Sequence, residues 1–234
     1  MRGFLGFVFV LLAALVVAAL VIVPIVARPI VADTVREALP FRDQPVNVEV
    51  ELNPVGLLAG TIDRIHVSGT GLRAEGAVIG ELDMTVTNVS TTDHRFRTAS
   101  GRLRNVELPF VQSSTLTITS IELDGPYGDV AAVALLDVRA SLAVIGNAFA
   151  DAGIAVDGLE LVDGGIAFSI LDQRVEVAVA VDAGALVIPD VLGGPLVIVE
   201  PGPDDPWRLT AVRATTSGFE IDVALEPEGM LDTP

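Results

Sequence analysis

The side chains that could do chemistry in this sequence are few. His66 and His94 are the only histidines, and each falls inside or beside a stretch of alternating residues. A histidine base needs a nucleophile to serve. The chain has no Gly-x-Ser-x-Gly elbow and no pair of histidines at metal-binding spacing. Cysteine is absent, which excludes thiol catalysis, thiolate metal sites and a lipid-modified cysteine anchor. Gly164-Gly165 and Gly193-Gly194 lead into no helical pattern and no P-loop lysine, so they read as turns. Asp204-Asp205 offers two carboxylates to a cation, short of the about six to eight oxygens that calcium takes. Asn88-Val89-Ser90 fits a glycosylation sequon, a pattern short enough to recur by chance. These residues point away from an enzyme, and no cofactor or metal is expected.

One basic cluster stands out. Lysine does not occur, and four of the 14 basic residues fall within "HRFRTASGRLR" in a chain of net charge −17. Arg95 and Arg97 alternate with Phe96, and Arg102 and Arg104 alternate with Leu103, on either side of the turn signal "TASG". A hairpin turning there sets like charges across from one another, which destabilises the pair unless something compensates. Two compensations stand open: nearby carboxylates such as Asp93 or Glu107, or an anionic partner such as lipid phosphate, which suits arginine forks. The acidic balance excludes nucleic acid, because phosphate binding needs a positive surface.

The elements that must position these residues read mainly as strands. Val46, Val48, Val50 and Leu52 alternate with Asn47, Glu49 and Glu51, the period of a half-buried strand. The pattern recurs in "ELDMTVTNV", "RLRNVELPF", "TLTITSIEL", "GIAFSIL", "RVEVAVAVD", "PLVIVE", "WRLTAVRA" and "GFEIDVAL", giving about ten to twelve short strands of antiparallel type. Gly128 to Gly153 breaks the rhythm. On a helix, Ala131, Leu135, Val138, Leu142, Ile145 and Phe149 form one stripe, and Val133, Leu136, Ala140 and Val144 make the other side apolar too. Asp137 and Arg139 at its centre, at about 2.5–3.5 kcal/mol each, exclude a membrane span. The expectation is a long helix cradled by a curved sheet.

From Gly3 to Ala27 the chain carries no charge, longer than the roughly 20 residues that cross a bilayer. The expected organisation is therefore a transmembrane anchor (or uncleaved signal) over 1–28 and a juxtamembrane helix and linker over 29–45. A β-rich domain follows over 46–226, with a flexible tail over 227–234. Arg2 and the acidic remainder favour a single-pass cell-membrane protein with its C-terminal domain on the extracytoplasmic side.

The stretch "NPVGLLAGTIDRIHVSGTGL" resembles the corresponding region of the actinobacterial LmeA-like cell-envelope phospholipid-binding proteins, through Pro54, Leu57, Leu58, Gly60, Ile65, Val67, Gly71 and Leu72. "VEVAVAVDAGALVIPD" is similar to that family's strand, turn and G-x-L-x-x-P run, and "WRLTAVRATTSGFEIDVAL" to its closing strands. Val55 departs from the pattern, standing where an aromatic often follows the proline, and the central helical region is unusually long. The resemblance implies an α+β fold of tubular lipid-binding type, a half barrel of strongly curved antiparallel sheet wrapped around one long helix and enclosing an apolar tunnel. It implies a phospholipid partner of phosphatidylinositol type, beside the cytoplasmic membrane, in support of envelope assembly. Val55, Leu57, Leu58, Leu135, Val138, Leu142, Ile145 and Phe149 would line the tunnel or its mouth. Arg95, Arg97, Arg102 and Arg104 would meet the headgroup or the membrane. The competing expectation is a non-enzymatic scaffolding module of the envelope that binds protein partners and has no lipid tunnel.

Overall fold

Alternation of period two carries through into the backbone. The computed structural model describes residues 28–225 apart from 42, 54–55, 57–58, 75, 94, 110–114, 192 and 203–204. In β1 (Val46–Glu51) every second residue is buried, with Val46, Val48 and Val50 inward. Strands β2 (Thr61–Ala74), β3 (Ala77–Ser90), β4 (Thr98–Pro109), β5 (Thr115–Pro126) and β6 (Val130–Asp137) follow as an antiparallel meander. The chain then leaves this sheet for a helix and two small antiparallel sheets. The first holds β7 (Asp157–Val162), β8 (Gly165–Ile170) and β9 (Gln173–Ala178). The second holds β10 (Ala180–Asp182), β11 (Ala185–Val191) and β12 (Gly194–Val199). It returns with the hairpin β13 (Trp207–Thr215) and β14 (Gly218–Leu225), and β14 pairs with β6. The large sheet thus has eight strands in the order β1-β2-β3-β4-β5-β6-β14-β13.

Two helices whose ranges lie within the described residues pack on these sheets: α1 (Arg28–Ala38), mainly on β1, and α2 (Val138–Asp151), on β5, β6, β14, β7 and β12. The expected fold class is therefore corrected. Among the described residues the protein is mostly β, with a large antiparallel sheet and no long helix for a sheet to wrap, so a tubular, helix-centred α+β half barrel does not describe it. The expected helix over 128–153 is a strand for its first half. Val130, Ala132, Ala134 and Leu136 point inward at a spacing of two, and β5 and β14 pair with both edges of β6. Paired neighbours on both sides override the helical preference of alanine. The switch falls at Asp137, whose carboxylate accepts the Ala140 N–H at 2.8 Å and caps α2.

Among the described residues no helix is long and apolar enough to cross a membrane. At 11 residues α1 spans about 16 Å. The single-pass membrane placement and the transmembrane designation are withdrawn on that finding; the apolar segment 3–27 lies outside the described residues.

Candidate functional site

The large sheet has two chemically opposite faces, each built by the same alternation. Its inner face is apolar, carrying Ile65, Val67, Leu82, Met84, Leu103, Ile118 and Ile121, all nearly or wholly buried. Val35, Leu39 and Phe41 from α1 and its following turn are also fully buried. Two ties hold that segment at one end of the sheet: Arg36 Nε donates to the Val46 carbonyl at 3.4 Å, and Gln44 exchanges hydrogen bonds of 2.6 and 2.7 Å with the Arg73 backbone. From the second helix Val144, Ile145, Ala148 and Phe149 turn inward, and Phe149 meets Phe168 edge-on at 4.9 Å.

Among the described residues two polar side-chain groups are buried in this interior. Ser141 is fully used. Its hydroxyl donates to the Asp137 carbonyl at 2.8 Å and accepts the Phe219 N–H at 3.1 Å, which fastens α2 to β14. Trp207, 1 % exposed at the start of β13, has no hydrogen-bond partner for its indole Nε1.

Register shows what gathers at the end of the sheet opposite α1. Thr98 opposes Thr87 and Pro126, Leu225 opposes both Val130 and Trp207, and Glu51 opposes Arg64. That end therefore carries Arg95 and Arg97 between β3 and β4, the Tyr127 turn and Trp207. Arg95 lies over the Tyr127 ring, 5.6 Å from its centroid, and Tyr127 meets Phe96 edge-on at 5.1 Å. Arg97 is exposed; its backbone N–H donates to the Thr87 carbonyl at 2.9 Å and its carbonyl accepts from Tyr127 N–H at 3.3 Å.

On the outer face charges form ladders across the strands. Arg102 lies between Asp83 and Glu122 in register and pairs with Glu122 at 2.6 Å; Arg104 pairs with Glu81 at 3.3 Å. Beside them β6 turns Ala131, Val133 and Leu135 outward. Together these strands enclose an open cavity of about 650 Å³, floored by Gly101, Ser100 and Ala131 and flanked by the paired charges. His66, on β2, does not line the cavity; its Nδ1 lies 3.1 Å from the Thr85 hydroxyl. In the small β7–β9 sheet, hydrogen bonds to Glu160 and then Glu176 raise the Arg174 pKa above its ordinary value.

The expected site residues divide accordingly. Ile145 and Phe149 are buried on the inner side and Leu142 is half-buried, whereas Val138 is 41 % exposed. Leu135 is 36 % exposed on the outer face of β6, not on a helix, so the expected continuous stripe does not exist. Val55, Leu57 and Leu58 lie outside the described residues. The four arginines do not form one cluster. "TASG" is the start of β4, β3 having ended at Ser90, so Thr98 to Arg102 alone spans about 13 Å along the strand. Carboxylates compensate Arg102 and Arg104, though Glu122 and Glu81 rather than Asp93 or Glu107. Sequence reasoning missed the buried trio Val35, Leu39 and Phe41, and it missed Trp207. The alternating "WRL" marked a strand but could not say that its tryptophan faces inward unpaired. Compared with the models of known families, with characterised proteins and with solved structures, the chain matches none.

Proposed function

We propose that this is a non-enzymatic phospholipid-binding or lipid-transfer protein whose acyl chains lie against the inner face of the large sheet. The observation that carries the reading is the chemistry of that face and of α2 against it: residue after residue is apolar, and among the described residues the buried polar side-chain groups there are Ser141 and Trp207. Burial there would stabilise a ligand by about 0.8 kcal/mol per methylene removed from water. The end that gathers Arg95, Arg97 and Trp207 would be the mouth. Val35, Leu39 and Phe41 would stop the far end. Because Arg102 and Arg104 are already paired, Arg95 and Arg97 are the residues left to meet a phosphate. The resemblance to the LmeA-like phospholipid binders supports the same substrate class, in support of envelope assembly.

The test is photochemical. The full chain is incubated with phosphatidylinositol or phosphatidylcholine bearing a photoactivatable acyl chain, and the labelled peptides are mapped. Labelling of inner-face peptides, those of Phe41 and Phe149 among them, is the expected result. A folded protein labelled only within segment 3–27, or not at all, overturns the proposal.

A second reading rests on the outer cavity of about 650 Å³ between paired charges. It makes the chain an interaction module that receives a protein partner on its outer face. In that case Arg102→Glu together with Arg104→Glu abolishes partner capture and leaves lipid labelling unchanged.

A further inference from the structure

Buried donors in folded proteins are paired in about nine cases of ten, because one left unpaired gives up its bonds to water and gains none in return. An indole N–H can only donate. Trp207 is 1 % exposed, and its Nε1 is the single buried side-chain nitrogen or oxygen without a partner among the described residues. Ser141 cannot relieve it, because that hydroxyl is committed to the Asp137 carbonyl and the Phe219 N–H. A buried water would be poorly held by one N–H, since such waters make about three hydrogen bonds.

Position adds a second observation. Trp207 is the first residue of the edge strand β13, and its register with Leu225 and Val130 sets it at the sheet end that carries Arg95 and Arg97. That places it at the boundary of the apolar interior, four strands along from β4, where a ligand's first polar group would sit. In a phospholipid that group is the acyl ester, whose carbonyl oxygen is a strong acceptor between apolar chains and an anionic head.

We infer that the indole N–H of Trp207 is a ligand anchor that donates to the ester carbonyl of a bound acyl lipid. The site is therefore selective for ester-linked over ether-linked chains. This rests on the lipid-binding reading of the inner face and adds its polar contact. The chain has one tryptophan, so its emission reports this anchor alone.

The experiment holds the full chain in an amphipathic polymer and titrates it with dioleoyl phosphatidylcholine or its dialkyl ether analogue, which lacks both carbonyls. Bound lipid is counted after gel filtration. The expected result is ester binding about three- to tenfold tighter than ether binding, the worth of one hydrogen bond, with a shift in tryptophan emission for the ester lipid alone. In Trp207→Phe the two lipids should bind equally, at the affinity of the ether lipid in the unaltered protein. Equal binding of both lipids to the unaltered protein, with no emission difference, overturns the anchor and leaves the lipid reading standing. Binding of neither lipid overturns both. The comparison on the unaltered chain decides the question even if Trp207→Phe fails to fold.

Discussion

The two faces of the eight-stranded sheet use the same alternation to opposite ends. Along β3 and β4 the inward positions are Leu82, Met84 and Leu103, while the outward ones are Glu81, Asp83, Arg102 and Arg104. Inside, stability comes from area removed from water and from pairing the buried polar groups, as Ser141 is paired; Trp207 Nε1 is the exception among the described residues. Outside, each charge keeps its water, so ion pairs whose partners are about half exposed contribute little. A cluster of arginines can therefore be prominent in sequence and nearly neutral in stability, while a single serine in the interior holds two elements together.

That contrast can be broken at several points. Phe149→Ala empties a fully buried site against Phe168 and should lower stability by about 3–5 kcal/mol in urea unfolding followed by circular dichroism. A loss below about 1 kcal/mol would mean that the inner face is loosely filled there. Ser141→Ala leaves the buried Phe219 N–H without its acceptor and should cost about 1–3 kcal/mol; the same measurement would show no change if α2 were merely resting on β14. On the outer face, a double-mutant cycle of Arg102→Ala and Glu122→Ala should return a coupling of about 0.2–1 kcal/mol. That coupling should fade at 1 M salt, where the screening length is about 3 Å, and persistence at high salt would argue for a drier pair than the structure shows. The smallest effect belongs to Leu135→Thr. Half-open on the outer face of β6, it should shift stability by no more than about 0.5 kcal/mol.

Much of the sheet was legible in residue order. The runs read as strands at "ELDMTVTNV", "RLRNVELPF", "TLTITSIEL", "PLVIVE", "WRLTAVRA" and "GFEIDVAL" fall on strands, save Glu200, one residue past β12, and Phe110, which lies outside the described residues, because one wet face imposes period two on any strand. Where both faces of an element are apolar that signal vanishes. In β6 the outward Ala131, Val133 and Leu135 are as apolar as the inward set, so the run imitates a helix with two dry sides. "RVEVAVAVD" was read as one strand, yet it serves two sheets, leaving one after Ala178 and joining the other at Ala180. Only the identity of its hydrogen-bonding neighbours distinguishes the halves, and those lie elsewhere in the chain. The "TASG" turn failed for a related reason. Thr98 and Gly101 are tolerated in β4 because β3 and β5 flank it. Of the residues expected to line a tunnel, only the inward placement of Ile145 and Phe149, in the α2 half of the misread segment, was legible in residue order. Trp207 required the structure, since nothing in residue order tells whether a buried donor is paired.

The pairing of β14 with β6 also dictates an order of assembly. Strands β1 to β6 are joined by short connections and can zip as they leave the ribosome, but the free edge of β6 waits for a partner about eighty or more positions later, as the pairing of Asp137 with Gly218 shows. Contacts of that separation form slowly. Until residues 218–225 have been synthesised, an alanine-rich strand with an open hydrogen-bonding edge is on display, the kind of edge that recruits a second chain. Truncation just before Gly218 should therefore yield aggregates rather than a smaller folded protein, and the last hairpin acts as the chain's own protection against self-association during synthesis.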